Sequence, residues 1–231
     1  MDSKVVHLQM RKNSIHLSSL FESLGHYVAG LSLLEISTGT FAADLSLEYQ
    51  RIQKSIRFDS HLLADKVAGK NDDILFDGIS LNSQLSYLID KQNKITVLND
   101  IQSLKVENLF VGLPIQALQI DAQLNAGDAV VQHFKARLLG GRLDFDDFKI
   151  NAPSQTMLNI AGISLAEIIK YSAYPEIQGK AVIDGMLPLT LMKDGPEIKE
   201  GVIFARPPGG YIKVPENNIS SFLPATLSAK R

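Results

Sequence analysis

Apolar and polar residues alternate with a period of two through most of the chain, the pattern of strands that present one apolar face. Between Thr40 and Gln50 the odd positions Phe41, Ala43, Leu45, Leu47 and Tyr49 are apolar, and Asp44, Ser46, Glu48 and Gln50 fall between them. Ile52, Ile56, Phe58 and Leu62 then form the apolar set opposite Gln53, Ser55, Arg57, Asp59 and His61. The alternation returns in Ile79–Ile89, Leu118–Leu124 and Val130–Leu138, the last two joined by the turn-forming Asn125–Asp128. It recurs in Lys180–Met192 and Glu197–Ala205, joined at the hairpin dipeptide Asp194-Gly195. These segments predict a mostly antiparallel sheet with one apolar face.

Two segments follow the helical period instead. Leu17, Leu20, Phe21, Leu24, Tyr27, Val28 and Leu31 lie at helical spacing, with Gly30 as a stop. Ser164-Leu165-Ala166-Glu167 is a capping box, so a short helix is expected to run to about Tyr171 before Pro175 prevents continuation. The order strand, turn, strand, glycine pair, strand appears twice, around Gly140-Gly141 and around Gly209-Gly210. The spacing is too irregular for a short solenoid repeat.

So much one-sided sheet must hide its apolar face. A second packed sheet, a closed barrel and an open gutter around something apolar all satisfy that demand, and two short helices supply little cover. If the gutter forms, Phe41, Leu45, Leu47, Ile56, Phe58, Leu118, Ile120, Leu124, Ile183, Leu187 and Leu189 are expected to line one continuous surface, because each lies on the apolar phase of its strand.

Composition removes several functions. The 231 residues carry 23 Lys+Arg against 25 Asp+Glu, a formal charge of -2, which argues against a nucleic-acid partner. Hydrophobic residues make up 45% and charged residues 21%, a globular balance. Cysteine is absent, which removes disulfides, thiolate metal ligands and cysteine nucleophiles. No run reaches the ~18–20 apolar residues of a membrane-spanning helix, and Met1–Asn13 carries charges in place of a signal peptide's apolar core.

No catalytic constellation stands out. His7, His16, His26, His61 and His133 are scattered without metal-ligand spacing, so no metal or other cofactor is expected. Asp72-Asp73 reads as a loop and Asp146-Asp147 as a bulge between Phe145 and Phe148. Ser164 lacks the second glycine of a nucleophile elbow and is accounted for as a cap. Arg206-Pro207-Pro208-Gly209-Gly210-Tyr211 reads as a rigid turn that redirects the chain. An enzyme is not expected.

Leu109-Phe110-Val111-Gly112-Leu113-Pro114-Ile115, Leu138-Leu139-Gly140-Gly141, Ile163–Ile169, Gly179, Gly185-Met186-Leu187-Pro188-Leu189, Glu200-Gly201 and Pro208-Gly209-Gly210, in that order, resemble the YdbH-like family of AsmA-like and TamB-like bacterial envelope proteins. The likeness covers roughly residues 100–215, and residues 1–100 agree in style. Part of that family carries the description "dicarboxylate transport", for which neither a transmembrane pathway nor a cationic cluster is visible here.

The resemblance implies a mostly β fold: a long twisted antiparallel sheet curled into an open apolar groove, with two short helices. It implies a segment of a periplasm-spanning protein that shelters phospholipid acyl chains between inner and outer membranes, with the eleven residues above lining the groove. A closed β-sandwich acting as a binding or scaffold module of the envelope is the alternative. Family members are anchored in the inner membrane and continue into final strands that offer an edge to a small outer-membrane lipoprotein by strand addition. The anchor and those strands are not found here, so residues 1–231 are expected to be one β-groove piece of a larger protein.

Overall fold

The structure is a computed structural model and describes residues 5–10, 15–18, 35–125, 128–150, 154–172, 174, 176–192, 195–198 and 200–214. The strands are β1 (Val5–Met10), β2 (Ile15–His16), β3 (Glu35–Gln50), β4 (Ser55–Asn71), β5 (Ile74–Ile89), β6 (Ile95–Phe110), β7 (Pro114–Asn125) and β8 (Asp128–Leu138). They continue as β9 (Gly141–Lys149), β10 (Ser154–Ser164), β11 (Gln178–Lys180), β12 (Val182–Met192), β13 (Gly195–Ile198), β14 (Val202–Ala205) and β15 (Tyr211–Lys213). The helix α1 (Leu165–Lys170) stands between β10 and β11. Of the other predicted helix, Leu17 and Ser18 are helical and the rest lies outside the described residues.

Thirteen strands form one antiparallel sheet in the order β1-β3-β4-β5-β6-β7-β8-β9-β10-β12-β13, with β2 beside β3 and β14 beside β12. The first and last strands of this order do not meet, so the sheet is open, not a barrel. No large side chain among the described residues is fully buried. A sandwich of this size would bury many, since its inner faces interdigitate into a closed core. The described sheet has no second layer against it: a long antiparallel sheet curled into an open apolar groove.

Strand length changes across the sheet. β3 to β6 have 16, 17, 16 and 16 residues, each about 55 Å long at the usual rise. β7 to β10 have only 12, 11, 9 and 11. The long strands are not straight. Positive φ at Gly39, Lys66, Gly78 and Ala117 falls at neighbouring positions, because Gly39 approaches Val67 and the register sets Gly78 opposite Glu107 and Glu107 opposite Ala117. Pairing slips at three of these places. Bulges bend a strand and sharpen its twist, so bulges aligned over β3 to β7 crease the sheet and curl it.

Elsewhere the sequence reading needs correction. Ile52 belongs to the turn 51–54 and is 75% exposed. Lys180–Met192 is not one strand: β11 leaves the large sheet and pairs with β15 through Lys180↔Tyr211. The segment Glu197–Ala205 is likewise divided between β13 and β14. The two glycine-pair segments therefore share an order of elements but not a pairing scheme. The dipeptide Asp194-Gly195 stands at the β12–β13 connection, where Met192 pairs with Gly195; Lys193 and Asp194 lie outside the described residues, as do Ala126 and Gly127 of the β7–β8 turn.

The cap on α1 forms as read, with the Ser164 hydroxyl accepting from the Glu167 N–H at 3.3 Å. The Pro-Pro-Gly-Gly turn is held at its start, where Arg206 N–H donates to the Val182 carbonyl at 2.7 Å. Phe145 and Phe148, three positions apart, reach the same face because Asp147 between them has positive φ.

Candidate binding face

Directly opposed residues on neighbouring strands point to the same side of a sheet, so the register identifies each face. Phe41 pairs with Ala64, Ala64 with Leu81 and Leu81 with Leu104. The row continues from Leu104 to Ile120, Phe134 and Phe145. One unbroken apolar row thus crosses seven strands. Parallel rows reinforce it, such as Leu47–Phe58–Tyr87–Val97 and Tyr49–Ile56–Ile89–Ile95. Beyond Phe145 the face passes through Leu143 to Ile160 and Gly185, beside which Leu158 opposes Leu187 and Thr156 opposes Leu189.

Of the eleven residues singled out from the sequence, Phe41, Leu47, Ile56, Phe58, Ile120, Leu187 and Leu189 stand in these rows, while Leu45 opposes Ser60, Leu118 opposes Val106, Leu124 opposes Ala129 and Ile183 opposes Ile163. Phe41, Leu45 and Leu47 come from β3, Ile56 and Phe58 from β4, and Leu118, Ile120 and Leu124 from β7. Ile183, Leu187 and Leu189 come from β12. Nine are half-buried, and Leu47 and Leu124 are exposed. At the centre, the Phe134 and Phe145 rings stack at 4.6 Å and Phe148 meets Phe145 edge-on at 5.6 Å. Such aromatic packing adds about 0.5–1.5 kcal/mol beyond area burial.

A cluster of polar residues interrupts this face on β4 to β6. Ser60 opposes Leu85, Leu85 opposes Asp100, Leu62 opposes Ser83, and Ser83 opposes Gln102. Ser60, Ser83 and Asp100 are buried. The Asp100 carboxylate accepts from the Gln102 amide at 3.1 Å and from the backbone N–H of Leu124. The pairing of β6 with β7 ends at Gln102↔Ala122, so Asp100 bridges the gap where the two strands part. Sequence reading missed this cluster. Its signal was the polar residue at Ser60 and at Ser83, each where an apolar one was due.

The opposite face is polar and internally bonded. Asp59 accepts both Arg57 Nε at 2.9 Å and Arg57 Nη2 at 3.1 Å, and also the Ser86 and Ser46 hydroxyls. The guanidinium hydrogen bonds, with help from Ser86, hold the Asp59 carboxyl below its ordinary range against the cost of partial burial. Further along, His61 meets Asn82 at 3.0 Å, Gln119 donates to Asp121 at 2.8 Å and His133 meets Asp146 at 2.7 Å. At the far end Arg206 donates to both Asp184 oxygens at 2.9 and 2.7 Å, and Gly162 N–H adds a bond of 2.8 Å. The Arg206 bonds first, then the Gly162 N–H, keep the Asp184 carboxyl low. One side of the sheet thus suits water and the other suits hydrocarbon.

No group of three His, Asp or Glu side chains able to hold a metal occurs among the described residues. No helix among them is long and apolar enough to cross a membrane. What the described face offers is apolar area. A family model described as YdbH-like, intermembrane phospholipid transport protein YdbH, matches residues 7–220. No curated protein and no solved structure matches the chain.

Proposed function

The chain belongs to the YdbH-like family of intermembrane phospholipid transport proteins, and from that premise we propose that its apolar face is a gutter along which acyl chains lie as lipid moves between the inner and outer membranes. The observation that carries the reading is the row from Phe41 to Phe145, unbroken over seven strands and without a covering layer in the described sheet. Burial of apolar surface yields about 25 cal/mol per Å², so an acyl chain along even part of that row gains several kcal/mol. Sliding transport needs apolar walls and no reactive groups. In this reading the large sheet acts as one continuous gutter in the periplasm.

The same proposal extends to a partner. β14 pairs with β12 on one side only among the described residues, and its Val202, Ile203 and Phe204 are all exposed. An exposed, uncharged, apolar edge is a template for strand addition. A small outer-membrane lipoprotein adding a strand there fits that chemistry.

Lipid extraction from the purified chain followed by mass spectrometry tests the gutter. Phospholipid is expected in the native chain and in Asp121→Ala, which alters the polar face. Ile120→Asp sets a carboxylate among acyl chains, at a cost of roughly 2–4 kcal/mol unless water follows it. That variant is expected to stay folded and lose its lipid. Unfolding of Ile120→Asp with no folded, lipid-free state would make Ile120 a sealed core residue and overturn the gutter.

A further inference from the structure

The antiparallel meander sends its turns alternately to two opposite lips of the sheet, and the lips differ in charge. The turns after β3, β5, β7 and β9 share one lip, and those after β4, β6 and β8 share the other. The first lip carries Arg51, Lys54, Lys91, Lys94 and Lys149, all exposed and without an ion pair among the described residues. Its acids are Asp90 and Asp128. Asp90 is occupied within its own turn, accepting the Gln92 and Lys94 N–H groups at 2.8 and 3.0 Å. The second lip has the turns Asp72-Asp73, Val111-Gly112-Leu113 and Leu139-Gly140. Of the cations on the strand ends beside them, Lys70 is paired with Glu35 at 3.0 Å and Arg142 with Asp144 at 3.4 Å, which leaves Arg137.

The basic lip is also greasy. Ile52 is 75% exposed between Arg51 and Lys54, Ile95 is 53% exposed after Lys94, and Ile150 is 49% exposed after Lys149. An isoleucine beside an unpaired cation is the chemistry of a membrane interface, where apolar contact and attraction to phosphate act together. The apolar row Tyr49–Ile56–Ile89–Ile95 lies immediately inside this lip. A chain lying in that row would bring its own glycerol and phosphate to the cations.

We propose that this lip is a rail for phospholipid headgroups: the phosphates ride along Arg51, Lys54, Lys91, Lys94 and Lys149 while the acyl chains lie inside. The proposal rests on the acyl-chain reading of the apolar face and adds which lip the headgroup follows. It makes the gutter selective for lipids that carry a phosphate.

The test compares two ligands with the same acyl chains, one carrying a phosphoglycerol headgroup and one carrying no phosphate. Full-length chain is incubated with phosphatidylcholine vesicles containing either phosphatidylglycerol or a diacylglycerol of the same chains, and retained lipid is quantified by mass spectrometry. The native chain is expected to prefer phosphatidylglycerol, and added salt is expected to erode that preference. Arg51→Glu/Lys91→Glu/Lys94→Glu changes only exposed turn residues, and its folding is checked by circular dichroism. It is expected to retain at least about tenfold less phosphatidylglycerol and an unchanged amount of diacylglycerol. A folded triple variant that retains both lipids as the native chain does overturns the rail and leaves the gutter standing. Loss of both lipids equally would also overturn it, since the turns would then act on the acyl chains. A native chain that takes up neither lipid sinks the gutter and the rail together.

Discussion

The long-stranded region from β3 to β6 and the short-stranded region of β7 to β10 and β12 present the same apolar face but build it differently. The first is creased by the bulges at Gly39, Lys66 and Gly78, and its face admits Ser60, Ser83, Asp100 and Gln102. The second has the Phe134–Phe145–Phe148 cluster at its centre and leucine on leucine at Leu158↔Leu187. Length and curvature therefore accompany a partly polar lining, while the narrower region is drier. A long strand that must bend around a groove has backbone groups pulled out of the ladder at the bend or split, and polar side chains are needed nearby to satisfy them. Asp100 does this for Leu124 N–H.

The sharpest way to break that comparison is to place the same amide on each region. Phe145→Asn removes a stacked ring from the dry region and leaves an amide facing Phe134. It is expected to lower stability by about 2–4 kcal/mol. Leu85→Asn stands between Ser60 and Asp100, where hydrogen-bond partners are present. It is expected to cost only about 1–2 kcal/mol. Urea unfolding of both decides the matter, and equal losses would mean that the two linings do not differ in dryness.

A smaller effect tests the crease. A Cβ on residue 39 would sit 2.8 Å from the Val67 Cα, at a φ of 129° that side chains rarely adopt. Gly39→Ala is expected to cost about 1–3 kcal/mol and to loosen the β3–β4 pairing above Thr40, read by hydrogen exchange. Protection there equal to that of the native chain would show that the bulge is not needed to bend the strand.

Asp100→Leu makes the wide region as dry as the narrow one. It also leaves Leu124 N–H without its acceptor, so a loss of about 1–2 kcal/mol in urea unfolding is expected. Retained lipid is expected to stay at the native amount, because no apolar wall is removed. Loss of lipid with native stability would reverse the assignment and make Asp100 part of lipid binding.

These differences were unevenly legible in the sequence. Alternation identifies strands wherever the period of two is kept, which is why the apolar phase holding Phe41, Ile120 or Leu187 could be read from residue types alone, while the rows that join the strands need the register. It fails at a bulge, because one extra residue moves the next side chain to the other face. Lys66 and Ala117 hold positive φ without being glycine, so nothing in their identity marks the crease. The β11–β15 pairing joins residues far apart in the chain, and neither short segment predicts it alone. Ser60 and Asp100 were hidden for another reason. A polar residue on an apolar phase looks like noise until the register shows it facing another.

The smallest expected effect concerns the polar face, which braces both regions by one device, an arginine on a carboxylate: Arg57 on Asp59 in the wide region and Arg206 on Asp184 in the narrow one. Both carboxyls are held below the ordinary value of 3.8 in the folded chain. A depressed carboxyl contributes stability in full above its unfolded value and loses it as pH falls through the folded one. The contribution is therefore complete above about pH 4 and fades below it. Both arginines are about half exposed, so water and salt screen the pairs and the effect is small. Thermal unfolding as a function of pH is expected to show the native midpoint falling below pH 4 more steeply than that of Asp59→Asn/Asp184→Asn. Each single variant should remove part of the difference, because the pairs stand at opposite ends of the sheet and share no partner. If Asp184→Asn alone removes all of it, the Gly162 N–H bond and the Pro-Pro-Gly-Gly turn carry the acid sensitivity, and the wide region needs no charge to stay folded.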